Sequence, residues 1–165
     1  MPDDRQRIIQ RLQSALRNEH LSVGCYDVHA KTATELRYLD MAATLRRMGD
    51  AHRRHIIRLE RRIRELGGEP TIYHLAEIMQ QNHGCVTEKD ILLALEQDLK
   101  AEDTQVEEYH VLAQQSDAAT ADMCAQYIEE DQAHLRWLRD QVLRLNHWDP
   151  DEEELDEGRS LKDSP

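Results

Sequence analysis

The sequence predicts an all-α chain, a four-helix bundle built from two helical hairpins joined by one long crossover. Charged residues make up 33% of it and aromatics 4%, with no Phe. Ala, Leu, Arg, Glu and Gln dominate, the composition of long helices rather than of sheets. Apolar residues recur in steps of three and four along four separate segments, the spacing that turns one face of a helix toward a core. Between the second and third segments, residues 67 to 87 form a stretch long enough to run back along the helices, as a bundle with a single crossover requires. At 165 residues the chain suits one such domain, over residues 4 to 146, whose core needs no disulfide staple.

The first helix, about residues 4 to 33, carries the stripe Ile8, Leu12, Leu16, Val23 and Tyr26. Its turn is expected near Leu36, where Thr32-Ala33-Thr34-Glu35 offers a capping box without a Gly or Pro beside it. The second helix follows Leu45, Met48, Ile56, Leu59, Ile63 and Leu66 and stops at Gly67-Gly68-Glu69-Pro70. There glycine permits a left-handed cap and proline forbids continuation. Thr71 to Gln81 reads as a short helix inside the crossover. Thr87 then supplies an N-cap with acids in the turn after it, and the third helix runs along Leu95, Leu99, Val106, Tyr109 and Ala113. Ser116-Asp117 breaks the pattern and caps a fourth helix striped by Cys124, Ile128, Leu135, Leu138, Val142 and Leu145. Residues 147 to 165 are acidic, contain Gly and Ser, and are expected to be disordered.

Charge narrows the function. A net charge of -12 argues against nucleic-acid binding, which works by cationic release of counterions, and suits the attraction of cations. No segment approaches the roughly 20 apolar residues of a membrane span, and Met1-Pro2-Asp3-Asp4-Arg5 does not read as a signal peptide, so a cytoplasmic location is expected. Cys25, Cys85 and Cys124 show no paired spacing and are read as small buried hydrophobes. The arginines of the second helix and the acids after Trp148 are read as solvated.

Six polar residues interrupt the apolar stripes: Glu19 in the first helix, His52 and His55 in the second, Glu102 in the third, Asp131 and His134 in the fourth. An unpaired buried carboxylate is costly, so something cationic should neutralise this group. Their spacing repeats. Tyr26 follows Glu19 by seven residues and Tyr109 follows Glu102 by seven, while His52-x-x-His55 in the second helix corresponds to Asp131-x-x-His134 in the fourth. One hairpin design is used twice, and all six residues fall at one level of the bundle. Carboxylates with imidazoles at i, i+3 suit Fe(II), with Mn(II) or Zn(II) as alternatives. Tyr26 and Tyr109 are assigned to the core. His20, His29, His74, His83, His110 and His147 receive no role.

This sequence resembles the bacterioferritin branch of the ferritin-like superfamily over residues 5 to 146. The resemblance rests on Arg17-Asn18-Glu19 with Tyr26, on His55 followed by Ile63-Arg64-Glu65-Leu66-Gly67-Gly68-Glu69-Pro70, and on Asp131-Gln132-Ala133-His134-Leu135-Arg136-Trp137-Leu138. It implies two metals in the bundle centre, oxidation of Fe(II) by oxygen or peroxide, and assembly into at least a dimer through the first two helices. By the same resemblance Glu19 and Glu102 are the terminal carboxylates and His55 and His134 the imidazoles, while the family's two bridging glutamates fall on His52 and Asp131. A neutral imidazole has one lone pair and binds one metal, whereas a carboxylate can join two. The family's haem-ligating methionine falls on Arg53, so no haem is expected.

Two classes of function therefore stand side by side: iron oxidation feeding storage or peroxide defence, and a metal-binding or degenerate-site bundle acting as a sensor or docking to a partner without turnover.

Overall fold

The computed structural model describes residues 2–73 and 87–147. Four long helices account for nearly all of them: α1 (Pro2–Glu35), α2 (Leu39–Glu65), α3 (Glu88–Gln114) and α4 (Ala118–Asn146). α1 packs on α2 and α3 packs on α4, and the two hairpins meet chiefly through α1 and α3. A ladder of side-chain bonds fixes the direction of that meeting: Asn18 to Glu108 at 2.7 Å, Ser22 to Gln105 at 3.4 Å, Tyr26 to Glu102 at 2.5 Å and His29 to Asp98 at 2.8 Å. As the number on α1 rises, the number on α3 falls, so these helices are antiparallel. With both hairpins also antiparallel, the connection from α2 to α3 has to run the length of the bundle, as a single long crossover does.

The helix ends explain the hairpins. At the end of α2 the Gly68 amide donates to the Ile63 carbonyl and the Gly67 amide to that of Arg64, both at 2.9 Å, with Gly67 at φ 79°. This is the Schellman arrangement, and glycine adopts it without strain. Gly68 also admits close packing, since a Cβ there would sit 3.0 Å from both Ile63 and Ile9. The end of α1 repeats the pattern with an unexpected residue. Tyr38 donates to Ala33 and Arg37 to Thr34, with Arg37 itself at φ 67°. The expected capping box at Thr32–Glu35 does not form: α1 runs through it, and α2 begins after Tyr38 with no side-chain cap. The Thr34 hydroxyl bonds the Ala30 carbonyl instead.

The other two starts follow expectation. Thr87 and Asp90 exchange a reciprocal capping box at the head of α3, and Asp117 accepts from the Thr120 amide at the head of α4. In the crossover, Thr71 to Tyr73 are not helical. They and Glu69 lie against α1, where Gln13 donates to the Glu69 carbonyl and accepts from the Thr71 amide. The rest of the expected short helix and the C-terminal tail lie outside the described residues.

Two apolar plugs fill the bundle. One contains Leu12, Leu16, Leu59, Ile63, Leu112 and Leu135; the other contains Ala30, Leu45, Met48, Ile91, Leu95 and Leu138. Each buried leucine contributes on the order of 2 kcal/mol. A polar layer lies between the plugs, and it holds the six residues.

Candidate metal centre

Each of the four helices brings one or two polar side chains into that layer. Glu19, His52, His55, Glu102 and Asp131 are all buried to 1% exposure or less, and His134 is 13% exposed at its edge. The sequence expectation that the six share one level of the bundle is met.

His52 sits in the middle. Its Nδ1 lies 2.6 Å from Glu19 Oε2 and its Nε2 lies 2.9 Å from Glu102 Oε1. Two carboxylate oxygens facing both ring nitrogens require both nitrogens to donate, which only the imidazolium can do. Its pKa accordingly lies well above the ordinary value: burial opposes the charge, but the charge and hydrogen bonds of Glu19 and Glu102 outweigh it. The same contacts act on the acids. Burial raises Glu19, yet the charge of His52 and the bonds from His52 and His55 hold it at about 2. Burial likewise raises Glu102, and bonds from His134 and His52 bring it to about 2.

The tyrosines cross between hairpins. Tyr26 of α1 donates to Glu102 Oε1 of α3 at 2.5 Å, and Tyr109 of α3 donates to Glu19 Oε1 of α1. The sevenfold spacing read from the sequence is thus a reciprocal exchange of phenol for carboxylate.

The second hairpin is left short of donors. His134 Nδ1 reaches Glu102 Oε1 at 3.2 Å but stands 3.7 Å from Asp131 Oδ1. Glu102 Oε2 and both oxygens of Asp131 are buried without a hydrogen-bond partner among the described residues. Burial, followed by the charges of Glu102 and Glu19, pushes the Asp131 carboxyl up to about 9. Buried oxygens of this kind are ones that an ordered water or a bound ion can satisfy. Ligand atoms of His52, Glu102, Asp131 and His134 lie within 4.8 Å of one another, as do those of Glu19, His52 and His55. The donor sets, carboxylates with imidazoles, fit a divalent iron, manganese or zinc ion. His52 is common to both groups, and Asp131 belongs to the first.

Three residues without a role in the sequence reading take part. Glu130 Oε2 lies 3.3 Å from His55 Nε2, so the outer nitrogen of that ring faces a carboxylate while Nδ1 faces Glu19 at 3.3 Å. With a metal in place of the Glu19 contact, such an outer partner would hold the Nε2–H tautomer and leave Nδ1 to ligate. His29 and Asp98, both buried, pair at 2.8 Å beside a half-open cavity of about 430 Å³ between α1 and α3, which Asp98, Glu102, Tyr26 and Cys25 help to line. Among the cysteines, Cys124 is buried and Cys25 partly so, both free. Burial raises their thiols to about 12 and about 11 respectively, which fits inert packing; Cys85 lies outside the described residues. Among the described residues, no helix is long and apolar enough to cross a membrane.

A four-helix bundle with one long crossover and a buried layer of carboxylates and imidazoles is the ferritin-like class of architecture. Residues 9–147 match the ferritin-like domain, and the chain belongs to that family. It is 30% identical over 139 residues to a bacterioferritin of Desulfovibrio desulfuricans, covering 82% of this chain and 74% of the relative. Among solved structures, the Desulfovibrio desulfuricans bacterioferritin, described with its diiron site in different catalytic states, superposes with a TM-score of 0.74 at 27% identity, covering 88% of this chain and 83% of that one. The bacterioferritin of Rhodobacter capsulatus shares the fold, with a TM-score of 0.73 at 21% identity over 88% of this chain and 89% of that one.

Proposed function

We propose that the bundle core binds iron and oxidises Fe(II), in the service of iron storage or peroxide defence. The observation that carries this is the set of three buried oxygens, Glu102 Oε2 and Asp131 Oδ1 and Oδ2, that have no donor among the described residues yet lie beside two imidazoles. A divalent cation there satisfies all of them at once. Glu102, Asp131, His134 and His52 are the residues proposed to hold it; Glu19 and His55, again with His52, form the second half of the centre. The diiron site described for the Desulfovibrio desulfuricans relative supports the choice of iron over manganese or zinc. Arg53 is engaged with Asp27 and Asp50 and offers no thioether, which supports a protein without haem. Assembly into at least a dimer through α1 and α2 completes the proposal.

One observation favours the second reading, a non-catalytic bundle that senses or docks. His52 already spans Glu19 and Glu102, so an imidazolium occupies the position between the carboxylates where a cation is otherwise needed.

Anaerobic Fe(II) titration followed by addition of oxygen or peroxide separates the two. The iron reading expects at least one tightly bound Fe(II) per chain and its oxidation on mixing. Fe(II) bound without oxidation on mixing, or binding no tighter than that of exposed carboxylates, would overturn the iron reading in favour of the non-catalytic bundle.

A further inference from the structure

The cavity between α1 and α3 takes no part in the proposed iron chemistry. It measures about 430 Å³ and is half-open, which places it among sites of roughly 300–1,000 Å³ that take small molecules. Its wall is mostly carbon, with Leu21 and Cys25 contributed by α1 and Ala101 by α3. Such sites combine an apolar wall with a few placed polar groups.

One polar group in this wall is unspent. Gln105 lines the cavity and is 4% exposed. Its Oε1 accepts from the Ser22 hydroxyl at 3.4 Å, whereas its Nε2 is buried with no hydrogen-bond partner among the described residues. An amide nitrogen has two protons to donate, and leaving them unused inside a protein is costly. A leucine would fill the same space without that cost, so the amide calls for a partner. The carboxylates of the wall are committed elsewhere: Asp98 is held by His29 at 2.8 Å, and Glu102 belongs to the candidate metal centre.

Charge and polarity narrow what the partner can be. A hydrated cation would lose water to a carbon wall and meet the positive end of the Gln105 amide. An anion would stand beside Asp98 and Glu102. An uncharged molecule meets neither objection, provided that it lays an apolar body on Leu21, Cys25 and Ala101 and brings an oxygen acceptor to Gln105.

We propose that the α1–α3 cavity is a binding site for an uncharged carbonyl compound with an apolar body, whose oxygen receives the Gln105 amide. The site is independent of the iron reading, since no metal ion enters its recognition.

The test uses acetylnaphthalene as the probe and ethylnaphthalene, which lacks the carbonyl, as its match, each titrated into the full-length protein by calorimetry. Saturable binding at one ketone per chain is expected, about tenfold tighter than the hydrocarbon, the worth of one net hydrogen bond. Gln105→Leu should erase that preference while the hydrocarbon still binds. Ala101→Trp, a change at an exposed position that keeps the test open should Gln105→Leu fail to fold, should weaken both probes by filling the cavity. The ketone should also slow alkylation of Cys25 by iodoacetamide severalfold, read peptide by peptide in the mass spectrometer, which places it in this cavity. Equal affinity for ketone and hydrocarbon, a preference that survives Gln105→Leu, or Cys25 alkylation unchanged at saturating ketone overturns the proposal. Naphthylethanol binding more tightly than the ketone would also overturn it, because the amide would then be presenting its oxygen.

Discussion

The two hairpins carry the same design and solve its electrostatic problem differently. In the α1–α2 half, Glu19 meets His52, His55 and Tyr109, and neither of its oxygens lacks a partner. In the α3–α4 half, Asp131 stands where the first hairpin has His52, and three buried oxygens are without donors among the described residues. One substitution of type at equivalent positions has turned a surplus of acceptors into a saturated network. The first half therefore pairs its charges within itself, and under the proposed iron reading the second is the one with oxygens left for a metal. Asymmetry of this kind means that folding and metal binding draw on different residues, which single changes can separate.

The largest effect is expected from Glu19→Gln. It removes the carboxylate that holds His52 and His55, and breaking a buried ion pair in this way costs about 3–5 kcal/mol. Chemical denaturation of the metal-free protein should read that loss. Asp131→Asn should do the reverse. Asp131 is protonated in the metal-free state because burial and the neighbouring acids raise it to about 9, so an amide of the same shape leaves the melting temperature nearly unchanged. Metal affinity, by calorimetry with Co(II) or Fe(II), should fall by at least about 100-fold, the upper end for changes one shell further out. If both variants lose stability alike, the two halves are not distinct.

Removing metal from the unmodified protein should lower its melting temperature by roughly 5–10 °C at pH 8 when free metal had stood near 100 times Kd, and by less at pH 5. The sign follows from proton counts. Between its ordinary value of 3.8 and about 9, folded Asp131 holds a proton that the unfolded chain has released, so metal-free stability falls as pH rises through that window. His52, raised above its ordinary 6.5, contributes stability below that value that is lost at higher pH. Glu19 and Glu102, held at about 2, act in the opposite sense only as pH falls below their ordinary 4.5. An equal loss at both pH values would mean that protons do not substitute for the metal.

His52→Glu tests whether the halves can be made alike. It removes the imidazolium that joins Glu19 to Glu102 and adds a carboxylate able to join two metals. Metal-free stability should drop, stoichiometry should rise toward two metals per chain, and Fe(II) oxidation should quicken. Two tightly bound metals in the unmodified protein, unaffected by the change, would sink the idea.

Much of this was legible in the sequence because burial leaves a periodic trace. Glu19, Glu102 and Asp131 interrupt apolar stripes, and a charge on such a stripe has nowhere else to go. Partners across helices leave no such trace. His29 follows Tyr26 by three and Asp98 precedes Glu102 by four, yet nothing in either helix says that they meet. Glu130 is 38% exposed and looks like any solvated acid. The role of His52 was legible only as a misfit, an imidazole in a carboxylate's place; that it bridges Glu19 and Glu102 needed the third dimension.

The smallest expected effect lies in the turns, where the hairpins also differ. The second hairpin turns at Asp117, whose side chain caps α4 and receives Arg62 at 2.5 Å. The first turns on Arg37 at φ 67°, with the two backbone bonds that close a helix around a left-handed residue. An L side chain there costs about 1 kcal/mol that glycine avoids, which is why the sequence, lacking a glycine, gave the turn so faint a signal. Arg37→Gly keeps both backbone bonds and relieves the strain, though part of the gain is returned as greater freedom of the unfolded chain. A net stabilisation of roughly 0.5 kcal/mol, or a rise of about 1–2 °C in melting temperature, is expected, with metal affinity unchanged because the turn lies far along α1 from Glu19. A fall in melting temperature would mean that the Arg37 side chain contributes more than its backbone strain costs.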